Sequence, residues 1–340
     1  MIFVTGGTGL VGAHLLFDLI SAGKKVRALK RPSSNLQQVL KTFSYYSDSS
    51  QDLFDNIEWV DGDLLDYFSL ETGLKGVTEI YHCAAIISFD KKERRRMISN
   101  NVEGTANLIN ASIENGVKRI CHVSSIAALG RLENGEPTTE ETNWVPNKKV
   151  SGYSESKYFS EVEIWRGIEE GLDAVIVNPS IIFGPANWET GSAKIFKTIW
   201  DGMNFYTKGT TGFVDVKDVT RAMIRLMDEL NFEKCKNQRY ILNAENLSYQ
   251  NVFNQIADVL EKPRPTIFAS NFLLGIVWRL ATLVSRITGK SALITQDSAS
   301  NSNEAIKFDG DKIKDLLDFH YLPVSESIKQ TAGFLKSEMA

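Results

Sequence analysis

The chain has 340 residues, 43% of them hydrophobic, which is typical of a globular protein with a sizeable core. Its formal net charge of −4 is mild, so the composition gives no support for nucleic acid or an anionic membrane as a partner. Cys83, Cys121 and Cys235 are too few and too widely spaced for a disulfide framework, and the N-terminus reads directly as a strand. We therefore expect a cytoplasmic protein without a signal peptide.

The chain begins with a β-rich run over residues 2–4 that leads directly into glycines at positions 6, 9 and 12. A stretch with apolar residues at helical spacing follows over about residues 10–20. This order is typical of a dinucleotide-binding unit. Gly6 allows the tight turn, Gly9 lets the backbone approach a pyrophosphate, and Gly12 permits close packing of helix on strand. No Gly-Lys-Ser/Thr triplet closes the loop, so it is not a P-loop.

Strands and helices continue to alternate through the first half of the chain. The pairs His82-Cys83 and Cys121-His122 lie inside apolar strand runs, so we predict core residues and no metal site. The alternation predicts an α/β fold of the Rossmann type, with a doubly wound parallel sheet and ligands at the carboxyl ends of its strands. The predicted strands are 2–4, 25–30, 57–60, 79–84, 119–124 and 174–178, and the predicted helices are about 10–20, 65–73, 96–115 and 153–170.

The second half loses this alternation, which indicates a smaller C-terminal substrate lobe interleaved with the main domain. We assign residues 1–178 and about 212–244 to the dinucleotide-binding domain, and about 179–211 and 245–340 to the lobe. Further predicted elements are a strand over 240–243, a helix from an Asp218 N-cap to about Leu230, helices over 247–260 and 270–289, and a surface loop over 44–56.

The most apolar stretch of the chain covers residues 272–287. Arg279 and Arg286 interrupt it, and it is shorter than the roughly 20 residues of a spanning helix, so we predict no integral membrane segment. Its basic, amphipathic character leaves two interpretations open. It is either a core helix of the substrate lobe or a helix that contacts a membrane surface.

Three residues form a candidate catalytic group. Tyr153 and Lys157 are one helical turn apart at the start of a predicted helix, so their side chains share a face, although the same spacing also occurs on solvated helices. A lysine ammonium beside a tyrosine hydroxyl favours the phenolate, so we expect the pKa of Tyr153 to fall from about 10 and make it a general acid or base. Ser125 ends the fifth strand and would hold a substrate oxygen there; its alternative role is to cap a turn.

These residues complete a set of motifs that covers most of residues 1–220. The set resembles the extended short-chain dehydrogenase/reductases, the NAD-dependent epimerase/dehydratase family. Its members are Thr5-Gly-Gly-Thr-Gly-Leu-Val-Gly12, Asp61-Gly-Asp-Leu64, His82-Cys-Ala-Ala85, Asn101-Val-Glu-Gly-Thr105, Val123-Ser-Ser125, Tyr153-Ser-Glu-Ser-Lys157 and Asn178-Pro-Ser-Ile-Ile-Phe-Gly-Pro185.

The resemblance implies roles for individual residues. Ser125, Tyr153 and Lys157 would be the catalytic triad, and Tyr153 and Lys157 would also contact the cofactor. Asn101 matches a position that supports a proton relay in related enzymes. The implied cofactor-binding residues are Gly6, Thr8, Gly9, Leu10, Val11 and Gly12 at the phosphates, Asp63 and Leu64 near the adenine, Ala84 and Ala85 along the cofactor, and Pro179 to Ile182 beside the nicotinamide.

The end of the second strand bears on the choice of cofactor. NAD-binding folds usually carry an acidic residue here, whereas an arginine accommodates the 2′-phosphate of NADP. This chain has Lys30 and Arg31 without a nearby acid in the sequence. We predict a preference for NADP(H), with NAD(H) as the other cofactor. The alternative is that both cations face solvent.

The sequence also bears on the branch of the family. Sugar dehydratases resemble one another in placing acidic residues directly after the strand-end serine or threonine, but here Ile126-Ala-Ala128 follows. The segments 140–144 and 178–185 resemble dihydroflavonol reductases and 3β-hydroxysteroid dehydrogenases. An apolar or ring-containing substrate would suit the apolar residues expected around the cleft, for each of which a place in the core is the alternative: Phe89, Leu129, Trp144, Phe183 and Trp188.

We therefore predict an oxidoreductase that interconverts a small-molecule ketone or aldehyde and an alcohol by hydride transfer. A nucleotide-sugar epimerase with tightly bound NAD(P) is the alternative enzyme, and a cofactor-binding regulator without turnover is the alternative outside enzymes. The helices at 96–115 and 153–170 offer faces for a homodimer.

Overall fold

The computed structural model describes residues 1–88, 92–132, 135–146, 150–271, 274 and 303–339. Twelve strands are found in these ranges, seven of them in one parallel sheet. The strands are β1 (Ile2–Thr5), β2 (Val26–Lys30), β3 (Glu58–Asp61), β4 (Glu79–His82), β5 (Arg119–Val123), β6 (Asp173–Pro179), β7 (Ile181–Phe183), β8 (Phe205–Tyr206), β9 (Thr210–Asp215), β10 (Gln238–Leu242), β11 (Glu245–Ser248) and β12 (Ile267–Phe268).

The large sheet has the strand order β10-β6-β5-β4-β1-β2-β3. The order reverses between β1 and β4, because the chain first builds outward from β1 to β3 and then returns to the other side of β1. The predicted Rossmann-type sheet is therefore confirmed, together with its six predicted strands, and β10 supplies the strand predicted over 240–243. In such sheets ligands bind at the carboxyl ends of the strands beside the reversal.

Helices cover both faces of this sheet because each strand is apolar on both sides. In β1, for example, Ile2 and Val4 face one apolar cluster and Phe3 faces the other. The first cluster receives α1, α2, α8, α9 and α11, and the second receives α4, α5 and α6. The helices are α1 (Leu10–Ser21), α2 (Leu36–Ser44), α3 (Ser50–Asp55), α4 (Tyr67–Gly73), α5 (Arg94–Glu114), α6 (Gly152–Glu169), α7 (Ala193–Trp200), α8 (Val216–Met227), α9 (Glu229–Cys235), α10 (Tyr249–Val259), α11 (Asp311–Leu317) and α12 (Val324–Met339).

A second, three-stranded sheet has the order β11-β9-β7, with β9 parallel to β7 and antiparallel to β11. It packs with α7, α10 and α12 around an apolar cluster that contains Phe183, Phe196 and Phe213. The strands β8 and β12 form a separate parallel pair. This part of the molecule follows β6 directly and lies beyond the carboxyl end of that strand.

Two predictions about local structure are wrong. Residues 44–56 are not a loop throughout, because Ser50–Asp55 forms α3, and Tyr45 and Tyr46 pack against Phe334 of the last helix. The N-cap of α8 is Asp215, whose carboxylate accepts a hydrogen bond from the Lys217 backbone at 2.7 Å.

Asp218 instead lies inside α8, where it pairs with Arg221 and accepts a hydrogen bond from the Leu322 backbone at 2.7 Å. Most of the segment predicted as a helix over 270–289 lies outside the described residues. Within the described ranges, no helix is long and apolar enough to cross a membrane.

Candidate active site

The glycine-rich loop joins the carboxyl end of β1 to the start of α1. Gly6 has a positive φ of +70°, and a Cβ there would stand 2.5 Å from the Ala84 backbone nitrogen, so only glycine lets these two loops touch. A Cβ on Gly12 would stand 2.2 Å from the Gly6 carbonyl oxygen. Gly9 is exposed, and among the described residues a Cβ there would meet only the Gly6 oxygen within 4 Å, at 3.4 Å. The loop is therefore tight at Gly6 and Gly12 and open at Gly9.

The first turn of α1 fits an anion. Gly9 is its N-cap and supplies no side-chain cap, so the positive end of the helix and its first backbone N–H groups are left for another partner. Thr8, Leu10 and Val11 are half-buried around this end. A side chain on Gly184 would meet Leu10 Cδ1 at 3.5 Å, so the segment that contains Pro179 and Ile182 passes close to the same helix end.

The other predicted cofactor residues follow the neighbouring strands. Asp63 and Leu64 come just after β3, are half-buried, and are tied down by hydrogen bonds from Leu65 N to Asp63 Oδ1 (2.9 Å) and from Asn107 Nδ2 to the Leu64 oxygen (3.0 Å). Ala84 and Ala85 follow β4 and are also half-buried. The structure thus places these residues along the carboxyl edge of one sheet.

Asn101 of α5 fixes the loop that follows β4. Its side chain accepts a hydrogen bond from the Ile86 nitrogen (2.8 Å) and donates one to the Ile86 oxygen (2.9 Å). It also donates to Ser156 Oγ on α6 at 3.2 Å. Asn101 therefore links the predicted cofactor loop to the helix that carries Tyr153 and Lys157.

Ser125 lies beside Tyr153, and its side chain acts to lower the pKa of the Tyr153 hydroxyl. Ser151 caps α6 by accepting a hydrogen bond from the Ser154 nitrogen at 3.1 Å, which places Tyr153 in the first turn of the helix. Ser125 Oγ also accepts a hydrogen bond from the Ala127 nitrogen at 3.1 Å. Ser125 therefore caps a turn, which is the alternative role considered for it, and its role at a substrate oxygen stays a prediction.

The expected lowering of the Tyr153 pKa is wrong for this structure. Burial raises the pKa of Tyr153, and the Ser125 side chain opposes that effect only in part. The Lys157 ammonium donates to the Val123 carbonyl oxygen at 2.9 Å and is 4% exposed. Burial lowers the pKa of Lys157 to about 8, while Cys83 and Glu161 act to raise it. Desolvation therefore has the largest effect on the pKa of both Tyr153 and Lys157.

At the end of β2, Lys30 has an acidic neighbour that is not close to it in the sequence. Lys30 forms an ion pair with Asp61, because the parallel register of β2 and β3 sets these residues side by side. Arg31 is exposed and comes directly after the strand. A neighbour on the next strand could not be recognised from spacing along the chain.

Three residues predicted around the cleft are core residues. Phe183 and Trp188 are 1% and 5% exposed and belong to the cluster of the second sheet. Leu129 is also buried, against Ile241 and Phe308. Trp144 is half-buried and its ring stacks on Tyr158 at a centroid distance of 4.2 Å. Phe89 lies outside the described residues.

The histidine and cysteine pairs are part of the core. His82 is hydrogen-bonded to Thr5 Oγ1 at 2.7 Å and to Thr105 Oγ1 at 3.1 Å, and burial lowers its pKa to about 3. The three cysteines are free thiols. In the part of the chain that the structure describes, no group of three His, Cys, Asp or Glu side chains is arranged to hold a metal ion.

Sequence reasoning missed the buried carboxylate of Glu161. It lies on α6 four residues after Lys157, with its side chain 3% exposed, and pairs with Arg239 of β10 at 3.1 Å. The same i to i+4 spacing that linked Tyr153 to Lys157 would have placed Glu161 on that face.

A tight glycine loop, an uncapped helix end and a Ser–Tyr–Lys group along one sheet edge define a nucleotide-dependent enzyme of the Rossmann class. The sequence model of the NAD dependent epimerase/dehydratase family matches residues 2–241. The chain belongs to this family, whose members are extended short-chain dehydrogenase/reductases, and it is an NAD(P)-dependent enzyme of that type.

Individual relatives agree with the resemblance seen in the motifs. The chain is 32% identical to a putative dihydroflavonol 4-reductase of Synechocystis, over 99% of this chain and 96% of the relative. It is 28% identical to a 3beta-hydroxysteroid-dehydrogenase/decarboxylase of Arabidopsis thaliana, over 81% of this chain and 66% of the relative. The solved structure of gox2253 superposes with a TM-score of 0.80 at 29% identity, covering 99% of this chain and 98% of that one. The predicted likeness to these two branches is confirmed.

Proposed function

We propose that the protein is an NADP(H)-dependent reductase that interconverts a ketone or aldehyde and an alcohol. The observation that carries this proposal is the Ser125 side chain beside Tyr153, with the buried Lys157 ammonium one turn further along α6. A tyrosine hydroxyl beside a serine can share one carbonyl oxygen with it, as a proton donor and a hydrogen-bond donor. The names of the reductase and dehydrogenase relatives support the same chemistry.

The cofactor would lie along the carboxyl edge of the large sheet. The residues there fit it, because Gly9 is open to solvent and the first turn of α1 has no side-chain cap. We assign Gly6, Thr8, Gly9, Leu10, Val11 and Gly12 to the phosphates, Asp63 and Leu64 to the adenine, Ala84 and Ala85 to the middle of the molecule, and Pro179 and Ile182 to the nicotinamide. When bound, the nicotinamide supplies or accepts the hydride.

The protein residues would manage the proton and the orientation of the substrate. Tyr153 stays protonated at neutral pH because burial raises its pKa, so it can donate a proton to the oxygen that gains charge during reduction. Ser125 Oγ orients that oxygen, and the Lys157 ammonium, one turn along α6, stabilises the tyrosinate that is left. This arrangement favours the reductive direction.

The preference for NADP(H) depends chiefly on Arg31. Asp61 already neutralises Lys30, so Arg31 at the exposed end of β2 is the cation better placed to accept a 2′-phosphate. NAD(H) is the alternative cofactor.

The substrate that we propose is apolar or contains a ring. Trp144 stacks on Tyr158 and donates a hydrogen bond from its Nε1 to Ser154 Oγ at 3.2 Å, and Ser154 directly follows Tyr153 on α6. The names of the relatives, a dihydroflavonol reductase and a hydroxysteroid dehydrogenase, point to ring-bearing substrates in those proteins. We also propose the division into a dinucleotide-binding domain and a substrate lobe, and a homodimer formed through α5 and α6.

The test is the loss of NADPH absorbance at 340 nm with a panel of aryl, steroid-like and aliphatic carbonyls. We expect stoichiometric oxidation with at least one carbonyl in the wild type and a loss of roughly a hundred- to ten-thousandfold in Tyr153→Phe, which still binds cofactor. Cofactor binding without turnover of any carbonyl would contradict the proposal. Conversion of a nucleotide sugar without net redox change would establish the epimerase instead.

A further inference from the structure

Glu161 is a buried carboxylate that joins four elements behind the Ser–Tyr–Lys group. Its Oε2 accepts hydrogen bonds from Ser124 Oγ (2.7 Å) and Asn178 Nδ2 (3.0 Å), at the carboxyl ends of β5 and β6. Its Oε1 accepts hydrogen bonds from Arg239 Nη1 (3.1 Å) on β10 and Trp165 Nε1 (3.4 Å) on its own helix. A buried carboxylate with four donors is well satisfied, and its removal takes their shared acceptor away from these four donors.

These contacts reach Ser125 directly. Asn178 donates through the same Nδ2 to the Ser125 carbonyl oxygen at 3.0 Å. Ser124, held by Glu161, is bonded through its backbone nitrogen to the Val177 oxygen at 2.8 Å. Glu161 therefore fixes the backbone of Ser124 and Ser125, and with it the position from which Ser125 Oγ meets Tyr153.

Glu161 also acts on Lys157, one helical turn away. Among the described residues, the titratable groups that act on the Lys157 ammonium are Cys83 and His82 from the end of β4, His122 from β5 and Glu161 from α6, and Tyr153 lies one turn before it on α6. Burial keeps the two histidines neutral and the Cys83 and Tyr153 groups protonated. Glu161 thus contributes the negative charge of this set and opposes the effect of burial on the lysine.

We propose that Glu161 is a positioning residue for carbonyl reduction, which fixes the strand end that carries Ser125 and keeps the Lys157 ammonium charged. The inference rests on the proposed function, since it assigns Glu161 a part in the reaction of Ser125, Tyr153 and Lys157. Glu161 touches neither the hydride nor the carbonyl and acts only through these residues.

The test compares three variants. Glu161→Gln removes the charge but leaves the partly buried Arg239 without its anion, so this protein is expected to lose thermal stability and to fold poorly. Arg239→Gln leaves the Glu161 carboxylate its hydrogen bonds from Ser124, Asn178 and Trp165, and in the double variant Glu161→Gln/Arg239→Gln the two facing amides can bond to each other. These two proteins differ only in the Glu161 charge. Glu163→Gln, which breaks a half-exposed pair with Arg166 on the same helix, is the matched control.

The readouts are kcat, KM and the pH dependence of kcat/KM. We expect the double variant to unfold at the same temperature as Arg239→Gln. The alkaline pH at which its kcat/KM declines should be lower by roughly one pH unit than in Arg239→Gln. Its kcat should be lower roughly tenfold or more, with little change in KM. Glu163→Gln should match the wild type. If Arg239→Gln and the double variant have the same kcat and the same pH dependence of kcat/KM, the inference is overturned and Glu161 is a purely structural residue.

Failure of the proposed function is recognised separately, by a wild type that reduces no carbonyl. In that case the pH dependence of NADPH binding, followed by fluorescence, provides the comparison without turnover. If NADPH binding weakens at a lower pH in the double variant than in Arg239→Gln, the result would support the inference that Glu161 keeps the Lys157 ammonium charged. Superimposable binding curves would overturn it.

Discussion

Two alanine substitutions in the glycine-rich loop should have opposite effects on the free energy of unfolding. At Gly9 the backbone has φ −85° and ψ 173°, which alanine adopts without strain, and the nearest atom to a new Cβ is 3.4 Å away. We expect Gly9→Ala to change the free energy of unfolding by less than about 1 kcal/mol, and in the stabilising direction. At Gly12 the Cβ would stand 2.2 Å from the Gly6 oxygen, so the backbone must move. That change should cost about 1–3 kcal/mol of stability.

Cofactor binding should be weakened by both substitutions, but for different reasons. A methyl group on Gly9 occupies the open side of the loop, where backbone N–H groups of α1 would approach the pyrophosphate. Losing one charge-assisted hydrogen bond of about 1.5–3 kcal/mol corresponds to roughly ten- to a hundredfold weaker binding. Gly9→Ala should therefore separate binding from folding, whereas Gly12→Ala should impair both.

The assays are fluorescence titration with NADPH and thermal unfolding without cofactor. Gly333→Ala is the matched control, because it is at an exposed helical position of α12 where no atom of the described part of the chain comes within 4 Å of the new Cβ. It should bind NADPH like the wild type. A stable Gly9→Ala protein that binds NADPH as tightly as the wild type would refute the assignment of this loop to the phosphates. A Gly12→Ala protein with unchanged stability would refute the steric argument.

Three further predictions concern the cofactor and the proton. Arg31→Ala should lower the ratio of NADPH to NADH affinity roughly ten- to a hundredfold, measured by titration with both cofactors, and an unchanged ratio would contradict the role of Arg31. Asp61→Asn frees Lys30 from its ion pair and should raise the same ratio by less than about tenfold, and an unchanged or lowered ratio would show that Lys30 does not contribute to the preference. The rate constant kcat/KM for carbonyl reduction should fall above pH about 8, because the buried Lys157 loses its proton there while Tyr153 remains protonated; a profile that stays flat to pH 10 would contradict this assignment.

Much of the large sheet could be predicted because its signals are local. A glycine or an apolar run indicates the backbone geometry or the burial of its own segment. This holds for the glycines at 6, 9 and 12 and for the predicted strands, and the structure has the corresponding strands and the first helix. The candidate catalytic residues were predicted by the same means, since a strand end and one helical turn place Ser125 and the Tyr153–Lys157 pair at the same edge. The short helix α3 was missed because its six residues have no buried side chain and hence no apolar periodicity.

Other features depend on neighbours that are distant in the chain. The order in which strands associate sets Asp61 beside Lys30 and brings Asn178 and Arg239 to Glu161, and no spacing within one segment reports such contacts. Phe183 and Trp188 carry the same composition signal whether they line a cleft or fill a core, and only the packing of the second sheet placed them in the core. The direction of the Tyr153 pKa shift was decided in the same way, because desolvation is a property of the folded surroundings and not of the side chain four residues away. Local geometry is therefore encoded in short stretches of this sequence, whereas charge state and pairing arise only when the strands meet.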